Sequence, residues 1–220
     1  MRKAIVLLLV LVLASVATAG TLTLSDLLLR TRAYWGEYNS ANSNWPDSVL
    51  TPIINDAEAM VAHVAKCIER DTTIVFVENQ ENYALPSDYD GHIGVKRYGK
   101  TTNPANLLFV SYDQYSRMPK QEGAQPDHFS IADDEIFIWP VPEEDEKDSI
   151  RVIYYAYASG MSAGSDTCDV KKYWQGIIPM VAKDLIGLKD QPASDVLTKV
   201  RGEITAWRRD HQSVAAPASQ

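Results

Sequence analysis

Apolar positions recur at helical spacing near both ends of the chain and alternate in its middle. Over residues 22–35, Leu24, Leu27, Leu28 and Thr31 share one face, extended by Tyr34 and Trp35. Thr23 or Ser25 caps this first helix and Asp26 suits its positive end. Residues 38–45 are polar and rich in turn formers, which predicts a loop. Trp45-Pro46-Asp47 then opens the most regular helix, with Asp47 or Ser48 as cap and Trp45 stapled onto the first turn. Its stripe is Leu50, Ile53, Ile54, Ala57, Met60, Val61, Val64, Ala65 and Ile68, with Cys67 on the same helical surface.

After that helix the period falls to two. Residues 72–78 read as a strand by β-branched content, 83–86 as a short extended piece and 92–98 as another strand. Residues 107–110 are extended and 111–117 form a capped helical turn. Residues 128–158 read as three strands in a row, 128–132, 135–141 and 149–158, with Asp133-Asp134 as a two-residue hairpin tip. Ile136, Ile138 and Pro140 alternate with Phe137, Trp139 and Val141, so both faces are apolar. Such a sheet is covered on both sides or keeps one side for a partner. Pro140 and Pro142 stop the ladder, since neither donates an amide hydrogen. Ile150, Val152, Tyr154 and Ala156 alternate with Arg151, Ile153, Tyr155 and Tyr157 in the last strand.

Helical spacing returns over 170–188, where Pro179 kinks or splits the helix. Ser194 caps a final helix carrying Val196, Leu197, Val200, Ile204 and Trp207. The predicted class is α+β. An N-terminal helical pair lies within 20–70, a central antiparallel β-rich region within 71–160, and a C-terminal helical pair within 161–212. A segment over 1–19 precedes them and a mobile tail over 213–220 follows.

Composition narrows the function classes. The formal charge is −8, and without Arg2 and Lys3 it becomes −10, with 19 basic against 29 acidic residues. Such a chain has no general attraction to nucleic acid but can meet a basic protein surface. The basic start, the apolar run 4–14 and Ala17-Thr18-Ala19 together read as a secretory signal, with cleavage between Ala19 and Gly20. The run is too short for a comfortable membrane span, so no stable membrane insertion is expected after processing. Cys67 and Cys168 are the two cysteines, and an even count in an exported chain permits one disulfide between them.

The histidines at 63, 92, 128 and 211 show no metal-ligand spacing, and no CxxC, phosphate loop or nucleophile elbow occurs. Asp88-Tyr89-Asp90-Gly91 echoes the start of a calcium loop without its later ligands and reads as a solvated turn. Asp127-His128 beside a serine is a dyad in sequence only, and Asp133 and Asp134 sit at an exposed tip. No catalytic, cofactor or metal residue is assigned. The aromatics Trp139, Tyr155 and Tyr157 are the candidate interface anchors, with the ordinary core of a two-sided sheet as the alternative role.

Four segments together resemble the head–tail adaptor proteins of tailed bacteriophages. LSDLLLRTRAY at 24–34 is similar to their opening helix, and WPDSVLTPIINDA at 45–57 to their W-x-D-x-x-L…I-N-x-A second helix. LPSDY at 85–89 resembles their entry to the β region. Residues 129–155, with Ile136, Ile138, Pro140, Pro142 and the pair Tyr154 and Tyr155, resemble their i-x-i-x-P-x-P…Y-Y block. The resemblance implies a non-enzymatic, homo-oligomeric ring subunit between portal and tail proteins. It implies a place in the virion, with assembly in the host cytoplasm. The signal-like N-terminus departs from that pattern and supplies the alternative, a periplasmic or secreted binding protein with an adaptor-like fold.

Overall fold

The computed structural model describes residues 21–36, 45–98, 104–119, 125–142, 149–187 and 193–210. The expected signal segment, with Ala19 and Gly20, and the tail over 213–220 lie outside them. Among the described residues the helices are α1 (Leu24–Ala33), α2 (Asp47–Ala65), α3 (Tyr112–Ser116), α4 (Lys172–Gln175), α5 (Ile178–Gly187) and α6 (Ala193–Asp210). The chain forms two compact units. Met1–Ala65 and Ser159–Gln220 make the first, Lys66–Ala158 the second.

The first unit is helical. Thr23 caps α1 in a reciprocal box: Asp26 N–H donates to Thr23 Oγ1 at 3.3 Å, and Thr23 N–H to Asp26 Oδ2 at 3.0 Å. The buried Arg32 guanidinium donates to Asp47 and, at 3.1 Å, to the Trp45 carbonyl, which fixes the corner between α1 and α2. The Trp45 ring stacks on Trp35 at 5.8 Å. Leu50, Ile54, Ala57 and Val61 are fully buried, while Ile53, Met60, Val64 and Ala65 are half-buried. The helix ends where Lys66 takes a left-handed φ of 49°. Cys67 and Ile68 therefore lie on the chain leaving α2, buried but off the helical surface assigned to them.

Side chains that mimic backbone join the two halves of this unit. Asn55 Nδ2 donates to the Met161 carbonyl at 2.9 Å, and Met161 N–H donates back to Asn55 Oδ1 at 3.0 Å. Leu22 N–H donates to Gln175 Oε1 at 2.9 Å, and Gln175 Nε2 donates to the Val170 carbonyl at 2.7 Å. Pro179 splits the expected helix: α4 ends at Gln175, and α5 starts at Ile178, with the proline in its first turn where no intrahelical amide bond is lost. The C-terminal region thus holds three helical segments rather than a pair. Ser194 lies inside α6, which already includes Ala193, so it is not the cap. A methyl group on Gly176 would stand 2.7 Å from the Trp207 ring, so glycine is what lets α6 approach here.

The second unit holds two four-stranded sheets. Its strands are β1 (Glu69–Val75), β2 (Asn82–Ala84), β3 (Tyr89–Tyr98), β4 (Ala105–Asn106), β5 (Leu108–Phe109), β6 (His128–Ala132), β7 (Glu135–Trp139) and β8 (Ser149–Ala156). One sheet runs β1-β8-β3-β4, the other β2-β7-β6-β5. All pairs are antiparallel except β5 with β6.

The three strands read in a row do not share a sheet. β6 and β7 form the expected hairpin, with Asp133 and Asp134 at φ 50° and 62°, the left-handed pair that a tight primed turn requires. β7 stops at Trp139, just before Pro140. β8 pairs instead with β1, from Glu69↔Tyr155 to Val75↔Ser149, and with β3, from Tyr89↔Ala156 to Tyr98↔Ser149. Its partners also move the first strand to Glu69–Val75, earlier than the 72–78 expected from β-branched content. Leu107 is the crossing point at the other side. It is buried and its N–H donates to the Val95 carbonyl at 2.9 Å, while Leu108 N–H donates to Asp127 of the other sheet's border at 2.8 Å. The core lies between the inner faces: Val95, Ile150, Val152 and Tyr154 from one sheet, Tyr83, Phe129, Ile136 and Ile138 from the other. His92 meets Phe129 edge-on at 5.4 Å between them.

Asn55→Ala removes both amide bonds to Met161 and leaves a buried-loop carbonyl and amide unpaired. It is expected to cost about 1–3 kcal/mol in urea unfolding; a loss below about 0.5 kcal/mol contradicts the bridging role.

Candidate interaction surfaces

Tyr155 and Tyr157 are brought together; Trp139 is not with them. Both tyrosines stand beside one partly buried ion pair. Lys66 Nζ donates to Asp90 Oδ2 at 2.8 Å and to the Asp90 carbonyl at 3.0 Å, with the Asp90 side chain 2% exposed. The same ammonium lies 5.9 Å from the Tyr155 ring centroid. Tyr157 N–H donates to the Asp88 carbonyl at 2.8 Å, extending the β3–β8 ladder by one bond. Burial, and then the Asp90 carboxylate, push the Tyr157 phenol above its ordinary range. Tyr157 is 43% exposed and Tyr155 half-buried, so each has one side tied inward and one side open.

The segment from Asp88 to Gly91 is therefore no solvated turn. Tyr89 to Gly91 begin β3, with register irregularities at Tyr89/Gly91 and His92/Gly94. Asp88 accepts from Arg70 Nη1 at 2.6 Å and from the Tyr154 hydroxyl at 3.0 Å. Sequence reading missed this because the partners, Lys66, Arg70 and Tyr154, are distant in the chain.

Trp139 belongs to the outer face of the second sheet, opposite His128 in register. Its indole N–H donates to the Pro119 carbonyl at 3.0 Å. Ahead of that point α3 is capped by Ser111 and Gln114 in a reciprocal box, and Tyr112 and Tyr115 lie 5.0 and 5.5 Å from the Phe137 ring. The second apolar face of β7 is thus strapped by residues 112–119 of the same unit. His128 pairs with Asp127 at 2.6 Å, yet Ser130 is fully buried, so the three do not form an accessible triad.

Cys67 and Cys168 are both buried as thiols rather than joined in a disulfide. Cys168 lies beside Glu58 of α2. Burial and that carboxyl push the thiol far above its ordinary range, so it stays protonated and unreactive. Glu58 accepts from Asp169 N–H at 2.7 Å, and burial raises its own pKa. Among the described residues no group of three or more His, Cys, Asp or Glu stands where it could hold a metal ion. None of their helices is long and apolar enough to cross a membrane.

Two further surfaces belong to the first unit. An open apolar groove of about 580 Å³ is lined by Trp45, Val49, Ile53 and Met60 on one side and Leu185 and Ile186 of α5 on the other. Where α5 meets α6, Lys199 Nζ pairs with Asp184 at 2.7 Å. Burial and the adjoining Asp184 carboxyl push Glu203 up to about 7, while burial of Asp184 is outweighed by its bonds from Glu203 and Lys199, which hold it low. Asp184 thus keeps the charge and Glu203 the proton. Lys183 stands nearby, 5.9 Å from the ring centroid of Tyr34, the C-cap of α1.

Asp88 and Asp90 are tied to internal cations, Tyr157 is exposed with Tyr155 half-buried, and an open apolar groove lies beside α2. The pattern that defines the SU10 adaptor protein family matches residues 22–183, most of the chain. The chain belongs to this family of phage head–tail adaptors. No individually characterised protein matches it in sequence.

The Glu203 proton makes the α5–α6 contact pH-dependent. A glutamate held protonated by the fold stabilises fully below its ordinary range, and that stability is lost as pH rises through about 7. Glu203→Gln is expected to match the wild type in melting at acid pH and to melt about 2–4 °C higher at alkaline pH, followed by circular dichroism. An equal difference at both pH values contradicts the shared proton.

Proposed function

We propose that this chain is a structural subunit of the head–tail connector, assembled in multiple copies as a ring that joins a portal to a tail without making or breaking covalent bonds. The observation that carries the reading is the family match over residues 22–183, which runs from α1 into α5 and takes in both sheets. The architecture supports it. A ring subunit must contact copies of itself laterally and two different partners axially, so it needs several independent apolar surfaces. The groove beside α2 and the open sides of Tyr155 and Tyr157 supply surfaces of that kind on separate units. The formal charge of −8 directs such surfaces toward protein partners and away from packaged DNA.

The apolar run 4–14 followed by Ala17-Thr18-Ala19 favours a second reading, an exported binding protein that keeps the adaptor fold. A mature chain beginning at Gly20 in an extracellular or periplasmic extract selects that reading.

Deleting the gene from its phage is expected to leave filled heads and free tails that do not join, and purified protein added to the lysate is expected to restore infectious particles. Wild-type yields of joined particles from the deletion contradict the connector role.

A further inference from the structure

The β-rich unit is inserted into the helical one, and the chain crosses between them twice, after Ala65 and after Ala158. Regular structure is broken at both crossings. Lys66 ends α2 with a φ of 49°, and Gly160 follows the second crossing with a φ of 75°. A left-handed residue stops a helix or a strand. Among the described residues no helix or strand therefore runs from one unit into the other.

Each unit is closed on itself beside these crossings. In the β-rich unit the two chain ends are paired with one another: Glu69 stands opposite Tyr155, and Ala156 N–H donates to the Ile68 carbonyl at 3.0 Å. Lys66 Nζ reaches Asp90 and Tyr157 N–H reaches the Asp88 carbonyl, both at 2.8 Å, so each end is also tied to the chain at the start of β3. In the helical unit the returning chain is caught at once. Ser159 N–H donates to Asp169 Oδ2 at 2.8 Å, Asp169 N–H donates to Glu58 Oε1 at 2.7 Å, and the Asn55–Met161 amide bonds follow. The buried residues form separate sets, with Leu50, Ile54 and Ile178 in the first unit and Phe129, Ile136 and Ile138 in the second. A unit with its own core and its ends held together has what cooperative folding requires.

We propose that the helical unit and the β-rich unit are separate cooperative units, each able to open while the other stays folded. When the helical unit opens, the β1–β8 pairing still holds both ends of the insert. When the β-rich unit opens, it becomes a long loop whose ends Asn55 and Met161 keep together, and the entropy of closing a loop grows only slowly with its length. Surfaces on different units are then gained and lost separately. The groove beside α2 goes with the helical unit, and the exposed Tyr157 goes with the β-rich unit. The uncoupling holds under either functional reading.

The test is native-state hydrogen exchange of the full chain, read by mass spectrometry on peptides from each unit. Ile54→Ala empties a fully buried site in α2, and Ile136→Ala does the same in β7. Ile54→Ala is expected to speed exchange about tenfold or more in α2 and α5 and to leave β6, β7 and β8 within about twofold of the wild type. Ile136→Ala is expected to do the reverse. Where an alanine variant does not fold, Ile54→Val and Ile136→Val are expected to show the same division at about threefold. Faster exchange confined to the substituted unit supports the proposal. Faster exchange that spreads into the other unit, from either variant, overturns it, and so does unchanged exchange in both units.

Discussion

Strand β8 is hydrogen-bonded along both sides, to β1 and to β3, and the second unit is built outward from that double pairing. Its inward residues Ile150, Val152, Tyr154 and Ala156 are all buried, and they supply one wall of the core. The pairing is long in range: Arg151 Nε reaches Asp71 Oδ2 at 2.8 Å across 80 residues of sequence. Closing that distance costs loop entropy before any contact repays it, so β1, β3 and β8 must assemble together. Once they do, β2, β6 and β7 have a surface to cover, and Asp88 and Asp90 have Tyr154, Arg70 and Lys66 as partners. The open edges of the sheets follow from the same topology, because a strand paired twice in the centre leaves β1 and β4 paired once.

The helices were legible because their signals are local. The Thr23 cap, the α2 stripe, the Ser111 cap and the break near Pro179 each depend on residues within a few positions of one another. The Asp133-Asp134 hairpin was legible for the same reason, since two residues between alternating strands leave few turn geometries. The destination of β8 was not. Its alternation shows that one face is buried but not against which sheet, and nothing local distinguishes joining β7 from crossing to β1. The reading of Asp88 to Gly91 failed at the same point. Acidic residues beside glycine look solvated until Lys66 and Arg70 arrive from elsewhere in the chain. Cys67 falls just past the helix its spacing predicts, because Lys66 ends α2 one residue earlier through a left-handed φ that a lysine rarely adopts.

The motif Ile54-Asn55-Asp56-Ala57 shows what the family resemblance carries physically. Ile54 and Ala57 are core, and Asn55 is the amide that holds the returning chain at Met161. That bond brings the segment after β8 back to α2, so the helical unit is closed by residues on both sides of the β-rich unit. Tyr154 and Tyr155 likewise divide their labour, one buried against Asp88 and one turned toward Lys66. Of the three aromatics expected as anchors, Trp139 has its indole N–H on the Pro119 carbonyl and Tyr157 has its hydroxyl on Asp90. Tyr157 stays exposed, Tyr155 half-buried, and an open apolar groove lies beside α2.

A protein that acts by docking is tested most directly by its mass in the presence of its partner. Native mass measurement of the purified chain, alone and mixed with the portal ring of its own phage, reads this without labels or substitutions. The connector account predicts a complex containing the portal and a fixed whole number of copies of this chain. A chain that remains monomeric and leaves the mass of the portal unchanged contradicts it.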